Sequence, residues 1–162
     1  MIINLLLPII FILWWIRQRS THEILAGIPL YWLPAMQSFR IPVELLLWSM
    51  LIGGVLPKQL TFEGYNFDVL SGVLGLILAF LLFRGVSKPI RWIRLYNLFG
   101  LVLLFIIVSM AILSMPTPFR QFLNEPSNAV MATFPFIWLP AFLVPLAFCL
   151  HLLSLRQTTR FT

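Results

Sequence analysis

Charge is what this sequence has least of. Among its 162 residues, 10% are charged and 60% are hydrophobic, whereas a soluble domain carries roughly a quarter charged residues. That balance excludes an intrinsically disordered chain, which stays open by having few apolar groups and many charges. A single cysteine, Cys149, excludes a disulfide framework. Collagen-like and coiled-coil repeats are missing. So are a Walker loop, a dinucleotide fingerprint, His-Glu-x-x-His and Gly-x-Ser-x-Gly, and with them the common signatures of phosphate, nicotinamide, zinc and serine chemistry. What is present is apolar sequence with a mean hydropathy of +0.98. It predicts a small polytopic membrane protein without enzymatic activity.

Apolar runs on all sides, rather than alternating ones, predict helices and not a barrel. Helices also satisfy their own backbone groups in lipid, so the expected fold class is an all-α transmembrane bundle. Five spans are expected, at about 1–16, 41–56, 68–84, 95–115 and 129–155, forming one membrane domain over 1–162. The stretch 24–56 would be about 50 Å long as a helix, too long for one upright crossing. Pro42 is best tolerated in a first helical turn, so the second span is placed from about Ile41, with 24–38 as an interfacial or re-entrant segment before it. One long, kinked and tilted helix is the competing description.

Orientation follows from the basic residues. Arg17 and Arg19, then Arg84, Lys88, Arg91 and Arg94, then Arg156 and Arg160 fall in alternate connections, while the other two hold only Lys58 and Arg120. The positive-inside rule puts the first set in the cytoplasm, with the N-terminus out and the C-terminus in. No signal peptide is apparent: there is no basic n-region and no small-residue cleavage site. The net charge of +6 fits this anchoring pattern and a lipid-bilayer partner, not nucleic acid.

Only five acids exist, and Glu44 is the informative one because it stands inside an apolar run. A central ionised residue costs about 2.5–3.5 kcal/mol to insert, so it has a partner or a task. Arg40, four residues earlier, shares its helical face. Three readings stay open: Arg40 snorkelling to headgroups with Glu44 in a solvated first turn, a buried Arg40–Glu44 pair, or a proton- or ion-handling carboxylate. The loop that holds Glu63, Gly64, Asn66 and Asp68 is the densest polar cluster. Its spacing matches no calcium loop, and Asp68 is suited to cap the next helix. Arg120, beside Glu125 in the second outer loop, is a candidate counter-ion for Glu63 or Asp68. His151 and His22 are the only imidazoles and the only candidate ligands for a haem or chlorin, although the paired spacing such a site uses is missing. Ser71, Gly72 and Gly75 are small enough to let two helices approach closely.

The segment Pro29-Leu-Tyr-Trp-Leu-Pro-Ala35 is echoed by Pro135-Phe-Ile-Trp-Leu-Pro-Ala141. Placed on helices of opposite direction, the two copies suggest an inverted repeat of the kind transporters use. Together, Phe39-Arg-Ile-Pro-Val-Glu44, the loop from Leu60 to Asp68, Met115-Pro-Thr-Pro118 with Asn124-Glu-Pro126, and the stretch from Phe134 through His151 resemble a group of small bacterial integral membrane proteins of no known activity. The resemblance runs from about Trp32 to Gln157. It implies a bacterial cytoplasmic membrane and no particular reaction.

The leading functional expectation is therefore an accessory or structural subunit of a larger membrane assembly, with a membrane-protein partner or a second copy of itself. The alternatives are a small transporter using Glu44 and Arg40, and a pigment- or haem-binding subunit with His151 as ligand.

Overall fold

The computed structural model describes residues 2–159, with side chains from Leu5 onward; Arg160 lies outside the described residues. Among these residues there is no strand. The helices are α1 (Ile2–Trp15), α2 (Arg19–Ala26), α3 (Trp32–Met36), α4 (Arg40–Ile52), α5 (Val69–Phe83), α6 (Pro89–Leu113) and α7 (Val144–Thr158). The all-α expectation holds. Two helical stretches, Pro89–Leu113 and Leu139–Thr158, are long and apolar enough to cross a membrane by length and composition; Val69–Phe83 is apolar but shorter.

The second segment differs from its expected form. It does not start near Ile41 after an interfacial stretch. Instead α3, a 3₁₀ turn at Gln37–Phe39 and α4 follow one another with helical backbone at every junction, making one rod over 32–52 about 31 Å long. The rod is longer than the expected span but falls short of the competing description, one helix over 24–56, because a turn at 27–31 separates it from α2. Pro42 explains the kink. It lacks the N–H that would bond to Ser38 one turn back, and its ring crowds that carbonyl, so the path tightens to 3₁₀ just there. The remainder of 24–38 is divided between the end of α2 and the turn at 27–31. The echoed segment has the same outcome by a different route: Leu139–Leu143 is a wide π turn leading into α7, with Pro145 on its far side. Each copy thus opens a helix of similar length whose prolines disturb its early turns.

Packing of the rod on α5 depends on small residues. A Cβ added at Gly72 would lie 2.9 Å from the Ile41 side chain, and one at Gly75 would lie 2.5 Å from the Pro34 carbonyl oxygen and 2.6 Å from the Tyr96 hydroxyl. Those distances leave no room for a methyl group, so α5 and the rod run antiparallel in close contact, as the small-residue pattern predicts. Between α6 and α7, Gly100 does the same: a Cβ there would lie 2.3 Å from the His151 ring.

The two ends of the bundle have different chemistry. At one end, Arg156 donates to the Gln18 carbonyl at 3.0 Å, Arg94 donates to Thr158 Oγ1 at 3.2 Å, and Gln157 donates to the Leu25 and Ile28 carbonyls. This joins α2, the start of α6 and the end of α7. At the other end, Gln59 and Asn124 exchange amide hydrogen bonds, and Gln59 also donates to Ser114 Oγ at 2.9 Å. The basic connections therefore gather at one end, and the loops 57–68 and 116–128 pack together at the other.

Candidate functional site

The rod must hold Gln37, Arg40 and Glu44 on successive turns of one face, because positions three, four and seven apart coincide on a helix. All three are buried, Arg40 being 3% and Glu44 2% exposed. An ionised group taken out of water and left unpartnered is strongly destabilising, so the partners decide the site. Arg40 Nε donates to Gln37 Oε1 at 3.0 Å, and Arg40 Nη1 donates to Asp68 Oδ1. Gln37 is held in turn by its own amide, which donates to the Ala147 carbonyl on α7 at 3.2 Å.

Glu44 is satisfied separately. The backbone N–H of Phe62 donates to its Oε1 at 2.7 Å, and Asn66 Nδ2 donates to its Oε2. Asn66 also donates to the Leu60 carbonyl at 3.1 Å and accepts the backbone N–H of Asp68, again at 3.1 Å. Gly64 makes this fold of the loop sterically feasible, since a Cβ there would lie 2.4 Å from the Lys58 carbonyl oxygen. The loop 57–68 is thus drawn inward to serve two charges on the rod.

Several sequence expectations are corrected by this arrangement. Arg40 and Glu44 do not pair with each other; the loop brings each a better partner, Asp68 for one and Asn66 for the other. Asp68 sits at the N-terminal boundary of α5, but its side chain makes no capping bond because it is committed to Arg40. Arg120 neutralises neither Glu63 nor Asp68. It donates to Glu125 Oε1 at 3.0 Å and to the carbonyls of Phe122 and Asn124, both at 2.7 Å, an ion pair local to its own loop. Glu63 is left at the surface and accepts from Trp48 Nε1 at 2.8 Å. The supposed outer cluster of Glu63, Asn66, Asp68, Arg120 and Glu125 therefore separates into a buried Asn66, a half-buried Asp68, a surface contact and a loop-closing pair.

His151 forms a second polar centre. It is fully buried, not near the end of the bundle. Its Nδ1 lies 2.8 Å from Asn97 Oδ1 and its Nε2 lies 3.4 Å from Ser71 Oγ. Asn97 Nδ2 donates to the Ile93 carbonyl and to Ser154 Oγ, both at 2.8 Å, which leaves Asn97 Oδ1 as acceptor. His151 Nδ1 therefore carries the proton, and Nε2 is turned to Ser71. Tyr96 packs beside the ring and donates to the Ser71 carbonyl at 2.9 Å. With both nitrogens facing protein groups and His22 exposed on α2, the two imidazoles do not fit a bis-histidine haem site.

Between α4, α6 and the start of α7 lies a cavity of about 110 Å³. Its walls are apolar, with Leu47, Leu104, Val108 and Leu143 among them, and its polar side is formed by Arg40, Glu44, Asn66, Asp68 and Asn128. His151 is not part of its lining.

Gln37, Asn97, Asn128 and Ser154 are site residues that a reading of charges alone passes over. Spacing carries the signal: Gln37, Arg40 and Glu44 fall on one face of the rod, and His151, Ser154 and Thr158 on one face of α7.

Fold and site together define an all-helical protein organised around a buried polar core, with most large apolar side chains of α5 and several of α6 turned outward. The family model described as "Domain of unknown function (DUF8737)" matches residues 1–158, and the chain belongs to that family. No curated protein and no solved structure matches it.

Proposed function

We propose that the chain is a five-span, non-enzymatic protein of the bacterial cytoplasmic membrane, of the kind its sequence resembles, and that it serves as an accessory or structural subunit of a larger membrane assembly. The observation that carries this reading is the inverted distribution of polarity. Arg40, Glu44, Asn97 and His151 are inside, whereas Phe83 and Phe105 are 70% and 74% exposed. Only 22% of the apolar window in Pro89–Leu113 and 28% of that in Leu139–Thr158 is buried, which is unlike the core helices of a water-soluble fold. A surface of that kind needs lipid or protein against it.

The spans in this reading are α1, the rod over 32–52, α5, α6 and Leu139–Thr158, with the end carrying Arg17, Arg94 and Arg156 on the cytoplasmic side. Gathering of the basic connections at one end supports that orientation under the positive-inside rule. The subunit reading is favoured over transport because Glu44 has both carboxylate oxygens engaged by Phe62 and Asn66, and Arg40 is held by Gln37 and Asp68. These groups fasten loop to helix.

The test is purification of the chain, tagged at its C-terminus and expressed in its native membrane, in a mild detergent, followed by mass measurement of the intact particle. A stoichiometric complex well above 18.7 kDa is expected. A monodisperse monomer after extraction from native membranes would contradict the subunit reading.

A further inference from the structure

The corner between α5 and α6 gathers cations that nothing in the protein neutralises. Arg84 closes α5, Lys88 precedes α6 and Arg91 stands in its first turn, and all three are exposed. No carboxylate occurs between Asp68 and Glu125 in the sequence. Among the described residues, none of the three joins an ion pair. Other cations at this end are engaged: Arg19 lies 3.7 Å from Glu23, Arg94 donates to Thr158 and Arg156 to the Gln18 carbonyl. Gly85 and Lys88, both in the left-handed region at φ 78° and 54°, turn the chain sharply here, so the three charges stay on one short corner.

Beyond Arg91, the same face of α6 is apolar and open. Trp92, Leu95, Phe99 and Val102 follow it at the three- and four-residue spacing that puts side chains on one helical face, and all four are exposed. Ile93, Asn97, Gly100 and Leu104 are buried on the face turned inward. From Arg91 to Val102 the helix rises about 16 Å, the depth of one leaflet of a hydrocarbon core about 30 Å thick. Charge at one end followed by one leaflet of apolar length is the order of chemistry in a lipid, and Trp92 stands at the level where tryptophan favours the headgroup boundary. A zwitterionic head would set its own ammonium against Lys88 and Arg91. A head whose only charge is its phosphodiester would not.

We propose that this corner binds one anionic phospholipid of the phosphatidylglycerol type, with its phosphate at Lys88 and Arg91 and an acyl chain along Trp92, Leu95 and Phe99. A guanidinium can hold two phosphate oxygens at once, and basic groups at the cytoplasmic ends of spans suit such heads. Arg84, whose guanidinium lies over the Phe80 ring at 5.6 Å, adds its charge from α5. The proposal rests on the membrane reading but not on the accessory-subunit role.

Binding is tested by native mass spectrometry of the full chain released from nanodiscs of equimolar palmitoyl-oleoyl phosphatidylglycerol and phosphatidylethanolamine. The expected result is a first retained lipid at least fivefold enriched in phosphatidylglycerol. Lys88→Gln with Arg91→Gln should bring that enrichment below twofold. Arg17→Gln, which removes an exposed charge from α1 at the same end, should leave it unchanged, and so should the charge-preserving Lys88→Arg with Arg91→Lys. Lys88 and Arg91 are exposed and their side chains bond to no described residue, so the variants should keep native helicity; Arg91→Gln alone, expected to at least halve the enrichment, serves if the double variant misfolds. No enrichment in the unaltered protein, full enrichment in a folded Lys88/Arg91 variant, or an equal loss with Arg17→Gln would each overturn the proposal. So would displacement of the lipid by an equal concentration of soluble glycerol phosphate, which would make the site one for free phosphate. Equal retention of both lipids contradicts this proposal alone, whereas retention of neither would count against the membrane reading itself.

Discussion

Arg40 has one ionic partner, and it comes from 28 residues away in sequence. Removing that partner leaves a guanidinium buried without a counter-charge, which costs about 3–5 kcal/mol, whereas replacing both members by apolar residues is often close to neutral. Asp68→Ala is therefore expected to destabilise the protein by about 3–5 kcal/mol in equilibrium unfolding from mixed micelles. The double change Arg40→Leu with Asp68→Leu should recover most of that loss. The double change Arg40→Leu with Glu44→Leu should not, because it leaves Asp68 without Arg40, the Phe62 N–H without an acceptor and Asn66 Nδ2 with only the Leu60 carbonyl. A double-mutant cycle that finds Arg40 coupled to Glu44 and not to Asp68 would show the pairing to be wrong. That a charged residue in the apolar rod must have a partner was legible in the sequence. Which partner was not, since helical spacing points to a neighbour four residues away, while the actual contact depends on how a loop folds back.

At the scale of elements, the rod and α5 meet through backbone, and that makes the contact unforgiving. Gly75→Ala places a methyl group against the Pro34 carbonyl oxygen and the Tyr96 hydroxyl. Side-chain overpacking costs about 1–3 kcal/mol, and a clash with backbone is harder to relieve. The expected loss in unfolding free energy is at the upper end of that range. Tyr96→Phe removes only one of the two obstructions and should not rescue it; full rescue would mean that the hydroxyl, and not the rod's backbone, sets the spacing. Here the sequence was informative, because Ser71, Gly72 and Gly75 mark the close approach by size alone. Less of the rod could be read. Pro42 was legible as a disturbance, but proline opens a helix in one context and kinks it in another. The decision belongs to the packing: Gln37, one turn before the proline, is held by the Ala147 carbonyl of α7, and this favours continuing the helix through the kink.

Across the whole molecule, polarity runs from a buried hydrogen-bonded centre to an apolar exterior, with basic groups at one end and short polar loops at the other. The two ends were legible from charge alone, since arginine and lysine recur in alternate connections. The joining of those connections in space was not, because each contact has a neutral partner that charge counting passes over: the Gln18 carbonyl, the Thr158 hydroxyl, the Gln157 amide and the Gln59–Asn124 pair. Five crossings with this orientation place Ser87, exposed between α5 and α6, in the cytoplasm and Gln121, exposed in the loop after α6, outside. With Cys149→Ala as background, single cysteines at these two positions are probed in intact bacteria with a membrane-impermeant thiol reagent. The five-span account predicts that Gln121→Cys is labelled in intact cells and Ser87→Cys only after the membrane is opened. Labelling of Ser87→Cys in intact cells, or of both positions alike, would contradict it.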